Sequence, residues 1–328
     1  MNFNKSIVIN WHVTERCNYS CKHCFAKWGK KREVWNDADQ TEHIIKNIAH
    51  HVEATGMGSK LFRLNIVGGE PIMSPQKLRN VVKTAKDCGA EVSMITNGSH
   101  LEIIRPFTHM ISQVGISIDS FNHKTNLKIG RACNGKTLSF DEINEKIKVV
   151  QEANSKLKIK INTVVNKYNF SEIMLPSIIA LHPNKWKILR QMPFGDNKGI
   201  SDHEFYSFIQ NNCRKSDNVN ESCETSIENS NAMMESYLMI SPDGRLFQNG
   251  KANYCYSRPL TEVSFAEALS DIKFDKSKFD GRYDGSFTQQ AFNFMETFFN
   301  IAPESCFDSI LFNNQNSNPT IRRLLFDK

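Results

Sequence analysis

No stretch of these 328 residues approaches the roughly 18 consecutive apolar residues of a membrane-spanning helix. The start, Met1-Asn-Phe-Asn-Lys5, has none of the continuous apolar core that a secretory signal carries. Basic residues are interleaved with acidic ones and form no long tract. A net charge of +6 and an isoelectric point of 8.7 therefore give little support for direct nucleic-acid binding, and a small phosphorylated substrate suits the same balance. The nine cysteines are too sparse for a small disulfide scaffold, and no internal repeat is found. Cys88, Cys133, Cys213, Cys223, Cys255 and Cys306 are scattered and read as buried structural thiols, since a free Cys packs as a small hydrophobe. These absences point to the cytoplasm, a reducing compartment and no stable membrane association.

What is present is a soluble globular composition, 40% hydrophobic and 23% charged, long enough for one large α/β domain or a domain with appended segments. Its most informative segment is Cys17-Asn-Tyr-Ser-Cys21-Lys-His-Cys24. Four thiolates in ferredoxin order saturate an iron–sulfur cluster, and a structural zinc takes four ligands. Three thiols, with His12 and His23 as the only nearby alternatives, can instead hold three irons of a four-iron cluster and leave the fourth open. Cysteine spacing alone leaves iron–sulfur, zinc and unligated thiols as competing readings.

Short apolar runs alternate with helical patterns, as in a βα-repeat. Strands are expected over Ile7–Val13, Leu61–Val67, Glu91–Thr96, Val114–Ser117, Lys158–Val164 and Lys187–Arg190. Helices are expected over Glu42–Ala54, Pro75–Cys88, Phe140–Asn154, Phe170–Leu181 and Asp202–Asn211. The Asn-, Ser- and Glu-rich stretch from Arg214 to Asn231 reads as a loop. Tyr237–Ile240 and Arg245–Phe247, separated by Ser-Pro-Asp-Gly244, read as a hairpin. The tail from Ser286 reads as covering helices. This periodicity permits a barrel or a flat doubly wound sheet.

The Cys17–Cys24 motif follows one expected strand, and Gly68-Gly-Glu-Pro71 follows the next. Glycine-bearing loops after strands are where α/β enzymes place ligands. In this order and spacing the two motifs resemble the radical S-adenosylmethionine (SAM) superfamily. That resemblance implies a partial (β/α)6 barrel, one [4Fe-4S] cluster on Cys17, Cys21 and Cys24, and SAM chelated by the open iron.

The segment Asn10-Trp-His-Val-Thr-Glu-Arg-Cys17 through Phe25 is similar to the viperins. So are Thr96-Asn-Gly-Ser99, Ser117-Ile-Asp-Ser-Phe121, Ile129-Gly-Arg131, Lys160-Ile-Asn162, Lys185-Trp-Lys187 and Glu235-Ser-Tyr-Leu238. The resemblance spans roughly residues 6–285. It implies dehydration of a ribonucleoside triphosphate (CTP, UTP or GTP) to its 3'-deoxy-3',4'-didehydro analogue, an RNA chain terminator used in antiphage defence. A reductase or a flavodoxin- or ferredoxin-type protein would supply electrons.

By resemblance, SAM is met by Gly68, Gly69, Glu70, Asn97, Ser99, Ser117 and Arg131, whose guanidinium fork suits a carboxylate. Asn10 and His12 are candidate substrate contacts on one face of a strand. Lys160, Lys185 and Lys187 would bind the phosphates, with Asn162 on the Lys160 face by the period of two. Where a close family member commonly has Arg, Lys185 keeps the charge without the fork. Tyr237 matches a tyrosine proposed to donate hydrogen after water loss.

The chain is thereby divided into a barrel core (1–200), a substrate-covering region (201–285) and a C-terminal extension (286–328). The amphipathic leader helix of animal viperins has no counterpart before Asn10. Two other readings compete: a different radical SAM enzyme for peptide or cofactor maturation, with Cys213, Cys223 and Cys255 weakly suggesting an auxiliary cluster, and a zinc-stabilised protein that binds a partner or nucleic acid.

Overall fold

A computed structural model describes residues 7–26, 29, 32–55, 62–193, 198–213, 223–249, 254–281 and 285–299. Among the described residues ten strands form one sheet: β1 (Val8–His12), β2 (Arg63–Val67), β3 (Glu91–Thr96), β4 (Gln113–Ser117), β5 (Lys158–Val165), β6 (Lys185–Arg190), β7 (Glu224–Glu228), β8 (Leu238–Ile240), β9 (Arg245–Asn249) and β10 (Tyr254–Pro259). Their order is β10-β9-β8-β1-β2-β3-β4-β5-β6-β7. From β1 to β7 every neighbour is parallel and next in sequence. β8 lies parallel to β1, and β9 and β10 continue as an antiparallel hairpin.

A doubly wound sheet reverses its strand order at a switch point. No reversal occurs between β1 and β7, so the winding is that of a barrel wall. The wall curves until its ends approach: the Tyr237 hydroxyl, just before β8, donates to the Glu228 carboxylate at the end of β7. These two strands are not sheet neighbours, and side chains stitch the seam that backbone bonds leave open.

Alternation then divides the wall into two faces. Ile9, Trp11, Leu64, Ile66, Val114, Ile116, Ile159, Ile161, Trp186 and Ile188 are buried in the main core. Asn10, His12, Asn65, Gly115, Ser117, Lys160, Asn162, Lys185 and Lys187 line a single interior cavity of ≈ 1220 Å³. Local capping starts the outer helices. Asp37 accepts from the N–H groups of Asp39 and Gln40 ahead of helix Ala38–Ala54. Ser139 and Glu142 form a capping box for helix Phe140–Ala153, which buries Ile143, Ile147 and Val150.

The expected strands and the hairpin all form. Three differences stand out. The helix expected over Phe170–Leu181 is confined to Leu175–Ala180, with Pro176 in its first turn. Within the expected loop, Glu224–Glu228 is strand β7 and Ser230–Met233 a short helix, while residues 214–222 fall outside the described residues. Helix His123–Ile129 and the 3-10 segment Leu101–Met110 were not anticipated. Helix Ser286–Phe299, the described part of the expected C-terminal extension, lies along β7. There the Ile227 N–H donates to Thr288 Oγ1 at 3.1 Å, and Thr288, Gln289 and Phe292 reach the cavity lining. No described helix is long and apolar enough to cross a membrane.

Candidate active site

The cysteine loop leaves β1 and crosses the mouth of the cavity. Cys17, Tyr19, Cys21, His23 and Cys24 line it, and Lys22 is exposed. Two backbone hydrogen bonds from the Gly68-Gly69-Glu70 turn hold the loop in place. Gly69 donates its N–H to Thr14 O at 2.6 Å, and Glu70 donates to Arg16 O at 2.6 Å. A Cβ on Gly68 would stand 2.7 Å from Thr14 O, and one on Gly69 would overlap the Arg16 carbonyl. These glycines are required because the cysteine loop packs directly on them. Their backbone also lines the cavity. On the far side, Ser20 donates to Gly130 O at 3.2 Å and Lys22 to Ile129 O at 2.9 Å. Gly130 has φ +91° and closes helix His123–Ile129.

The resemblance assigned Glu70 to SAM, but its carboxylate is turned into the protein. It is 1% exposed and accepts from Thr96 Oγ1 at 2.8 Å, Asn97 N–H at 2.6 Å and Ile72 N–H at 3.2 Å. Burial pushes its pKa up to about 7 against these hydrogen bonds. Ser99 is likewise used within the protein, its hydroxyl accepting from Asn18 Nδ2 at 3.0 Å. Asn97 lines the cavity and donates to Asn18 Oδ1 at 2.7 Å. Every other predicted site residue lines the cavity.

Arg131 Nε donates to Asp119 Oδ2 at 2.7 Å, and His23 Nε2 lies 3.4 Å from the same oxygen. The Arg131 Nη1 is buried with no hydrogen-bond partner among the described residues. Such a donor beside Ser117 and the cysteine loop suits an anionic or carbonyl oxygen. Burial pushes the Cys21 thiol up to about 12, so its thiolate form calls for a bound cation. Among the described residues no three His, Cys, Asp or Glu side chains gather at a single-ion site. A four-iron cluster bridges its thiolates through its own irons and sulfides. Its ligands need not converge on a point as those of one zinc do. The donor set fits the cluster. Cys213 and Cys223 are buried in the hydrophobic core and Cys255 is exposed on β10, so nothing in their placement favours an auxiliary site.

The opposite part of the wall is charged. Lys160 and Lys185 are register partners on β5 and β6, as are Asn162 and Lys187. Lys185 pairs with Glu224 at 2.6 Å, and Lys187 pairs with Glu228. Lys160 has no hydrogen-bond or ion-pair partner among the described residues. Burial, then repulsion from Lys187 and Lys185, lowers its pKa well below the ordinary lysine value. An anion at this point would relieve both effects. Asn162 Nδ2 is also buried without a hydrogen-bond partner among the described residues. His12 is held between the rings of Phe25 and Phe247, and burial lowers its pKa to about 3, leaving a neutral imidazole.

The chain matches the Radical SAM superfamily over residues 11–174. It is 50% identical over 319 residues to the S-adenosylmethionine-dependent nucleotide dehydratase of Fibrobacter sp. (strain UWH6), covering 90% of this chain and 93% of that one. It belongs to the radical SAM nucleotide dehydratase family. A dehydratase of the same name from Psychrobacter lutiphocae (strain DSM 21542 / CCUG 56590 / IMMIB L-1110) is 37% identical over 295 residues, covering 85% of this chain and 95% of its own. The solved structure of native anSMEcpe with bound AdoMet superposes with a TM-score of 0.59 over 90% of this chain and 99% of its own, at 12% identity. That likeness is one of fold. The cofactors of the family are SAM and a [4Fe-4S] cluster, for which Cys17, Cys21 and Cys24 are the clustered thiols of this dehydratase-family chain.

Sequence reasoning missed Glu228 and Asp119 as members of the site, and named His23 only as an alternative ligand beside the three thiols. Asp119 lies inside the quoted Ser117–Phe121 motif, so its signal was present. Glu228 had only its place four residues after Glu224, on the same strand face.

Proposed function

We propose that this dehydratase-family protein converts a ribonucleoside triphosphate (CTP, UTP or GTP) to the 3'-deoxy-3',4'-didehydro nucleotide, a chain terminator for antiphage defence. The observation that carries this reading is that one cavity holds the cysteine loop at its mouth and the Lys160, Lys185 and Lys187 ammonium groups on its wall. When bound at Cys17, Cys21 and Cys24, the cluster supplies the electron that cleaves SAM to the radical that abstracts the 4'-hydrogen.

The protein positions and encloses. Gly68 and Gly69 expose backbone toward SAM, and Arg131, oriented by Asp119, presents a free donor for its carboxylate. Ser117 and Asn97 frame the same end. Lys160 is the first phosphate contact, since Lys185 and Lys187 must share themselves with Glu224 and Glu228. Asn162 offers an unused amide to the ribose or phosphate, and Asn10 and neutral His12 face the substrate from β1. Tyr237, beside Lys187, yields the hydrogen that completes reduction. Region 201–285 forms the substrate-covering part of the molecule. We place the enzyme in the cytoplasm with a reductase, flavodoxin or ferredoxin as electron donor and without a direct nucleic-acid partner.

Anaerobic turnover of reconstituted protein with SAM, dithionite and each triphosphate in turn tests the assignment. Formation of 5'-deoxyadenosine together with a nucleotide lighter by one water supports it. SAM cleavage without a dehydrated nucleotide for any base overturns it.

A further inference from the structure

Glu228 is 4% exposed and binds two cavity residues from two other parts of the wall. One carboxylate oxygen accepts from the Tyr237 hydroxyl and the other pairs with Lys187 Nζ. Lys187 also donates to the Tyr237 oxygen at 2.8 Å, and its ammonium lies 5.2 Å from the phenol ring centroid. The phenol is thus fixed on both sides, as donor to Glu228 and acceptor from Lys187. A buried carboxylate that is fully committed in this way is expensive to place and holds its partners in one arrangement. The rest of the charged wall converges here as well: Lys187, Lys185 and Arg63 act on Lys160 as cations, with Glu228 as the opposing charge.

We propose that Glu228 is a positioning residue of the active site, setting the Tyr237 hydroxyl and the Lys187 ammonium at one place through a single shared carboxylate. The inference rests on the reading of Tyr237 as hydrogen source and Lys187 as phosphate contact. It adds a residue from β7, the strand that local composition hides, to the reaction machinery.

The Glu228→Gln variant keeps the side-chain shape and removes the charge. Lys187 is then released from its carboxylate, and nucleoside triphosphate binding to the cluster-free full chain, measured by calorimetry, should tighten about threefold to tenfold. In the same protein the Tyr237 phenol, followed by ultraviolet titration against Glu228→Gln/Tyr237→Phe, should ionise about one pH unit earlier than in the parent, because Lys187 is no longer offset. In the reconstituted enzyme, 5'-deoxyadenosine formed per dehydrated nucleotide should rise about tenfold or more, as expected when a group that aligns the reacting atoms is lost. The double variant should uncouple no further than Tyr237→Phe alone. A purely structural role would weaken binding, lower thermal stability and leave the coupling ratio unchanged, and that result would overturn the proposal. If the parent dehydrates no triphosphate, the reaction assignment fails, while the titration still decides whether Glu228 sets Tyr237.

Discussion

The Glu70 carboxylate accepts the backbone N–H of Asn97 at 2.6 Å, tying the loop after β2 to the exit of β3. The neighbouring backbone bond from Glu70 N–H to Arg16 O extends that brace into the cysteine loop. Three consecutive segments of the site therefore depend on one buried residue, which acts on the cofactor end through the loops it holds.

Glu70 should leave a distinct mark on stability against pH. Its pKa is about 7 in the fold against an ordinary value of 4.5, so the folded chain binds the extra proton between those limits. Its contribution is greatest below about 4.5 and is lost as pH rises to 7. His12 has the opposite sign: lowered from 6.5 to about 3, it removes stability as pH falls below 6.5. Urea unfolding of cluster-free Glu70→Gln against the parent isolates the first effect. The parent-minus-variant stability should decline with rising pH by up to about 3 kcal/mol, and a flat difference would contradict it.

Replacing Gly130 tests the clamp on the cysteine loop. A Cβ there would overlap the Ser20 carbonyl, at a backbone φ of +91°. Gly130→Ala should lose about 1–2 kcal/mol from the left-handed conformation alone, and more from the displaced loop, with iron content after reconstitution falling below one cluster per chain. Gly135, with φ +77° and open space around it, is the control. Gly135→Ala should load iron normally.

Lys160 and Lys185 should respond differently to removal of charge. Lys160→Met removes the crowded ammonium that has no carboxylate partner among the described residues, and should weaken triphosphate binding by about tenfold or more while raising the melting temperature. Lys185→Met removes an ammonium already paired with Glu224 and should weaken binding by only about twofold to threefold. Calorimetry and thermal melts on the cluster-free chain measure both. Equal losses would show that Glu224 does not shield Lys185.

At Arg131, charge without the fork is insufficient. Lysine cannot keep both the Nε bond to Asp119 and a second donor aimed at the cavity. Arg131→Lys should weaken SAM binding to the reconstituted protein about tenfold with its iron content intact, as read by equilibrium dialysis.

The wall was legible wherever strands were long and alternated cleanly. Lys160, Asn162, Lys185 and Lys187 share a face, and Trp186 turns to the core, because the backbone period is two. Strand β7 was hidden because Glu224-Thr-Ser-Ile-Glu228 carries a single large apolar residue. Among the described residues β7 is an edge strand, paired with β6 on one side alone, and edge strands carry more polar and charged side chains than central ones. The sequence singled out Gly68 and Gly69 as an approach for SAM, and the group their missing Cβ atoms accommodate in the fold is the Thr14–Arg16 backbone.

The amino-acid sequence by itself determined the spacing of Cys17, Cys21 and Cys24, the alternation of the strands and the capped helix starts, since each depends on residues within a few positions of one another. Tertiary structure alone decided that Lys187 and Tyr237 share Glu228, that Lys160 has no carboxylate in ion-pair contact among the described residues, and that Glu70 is spent inside the protein. Those relationships cross the interior of a curved sheet. They are set by twist accumulated from β1 to β7, which no local pattern encodes.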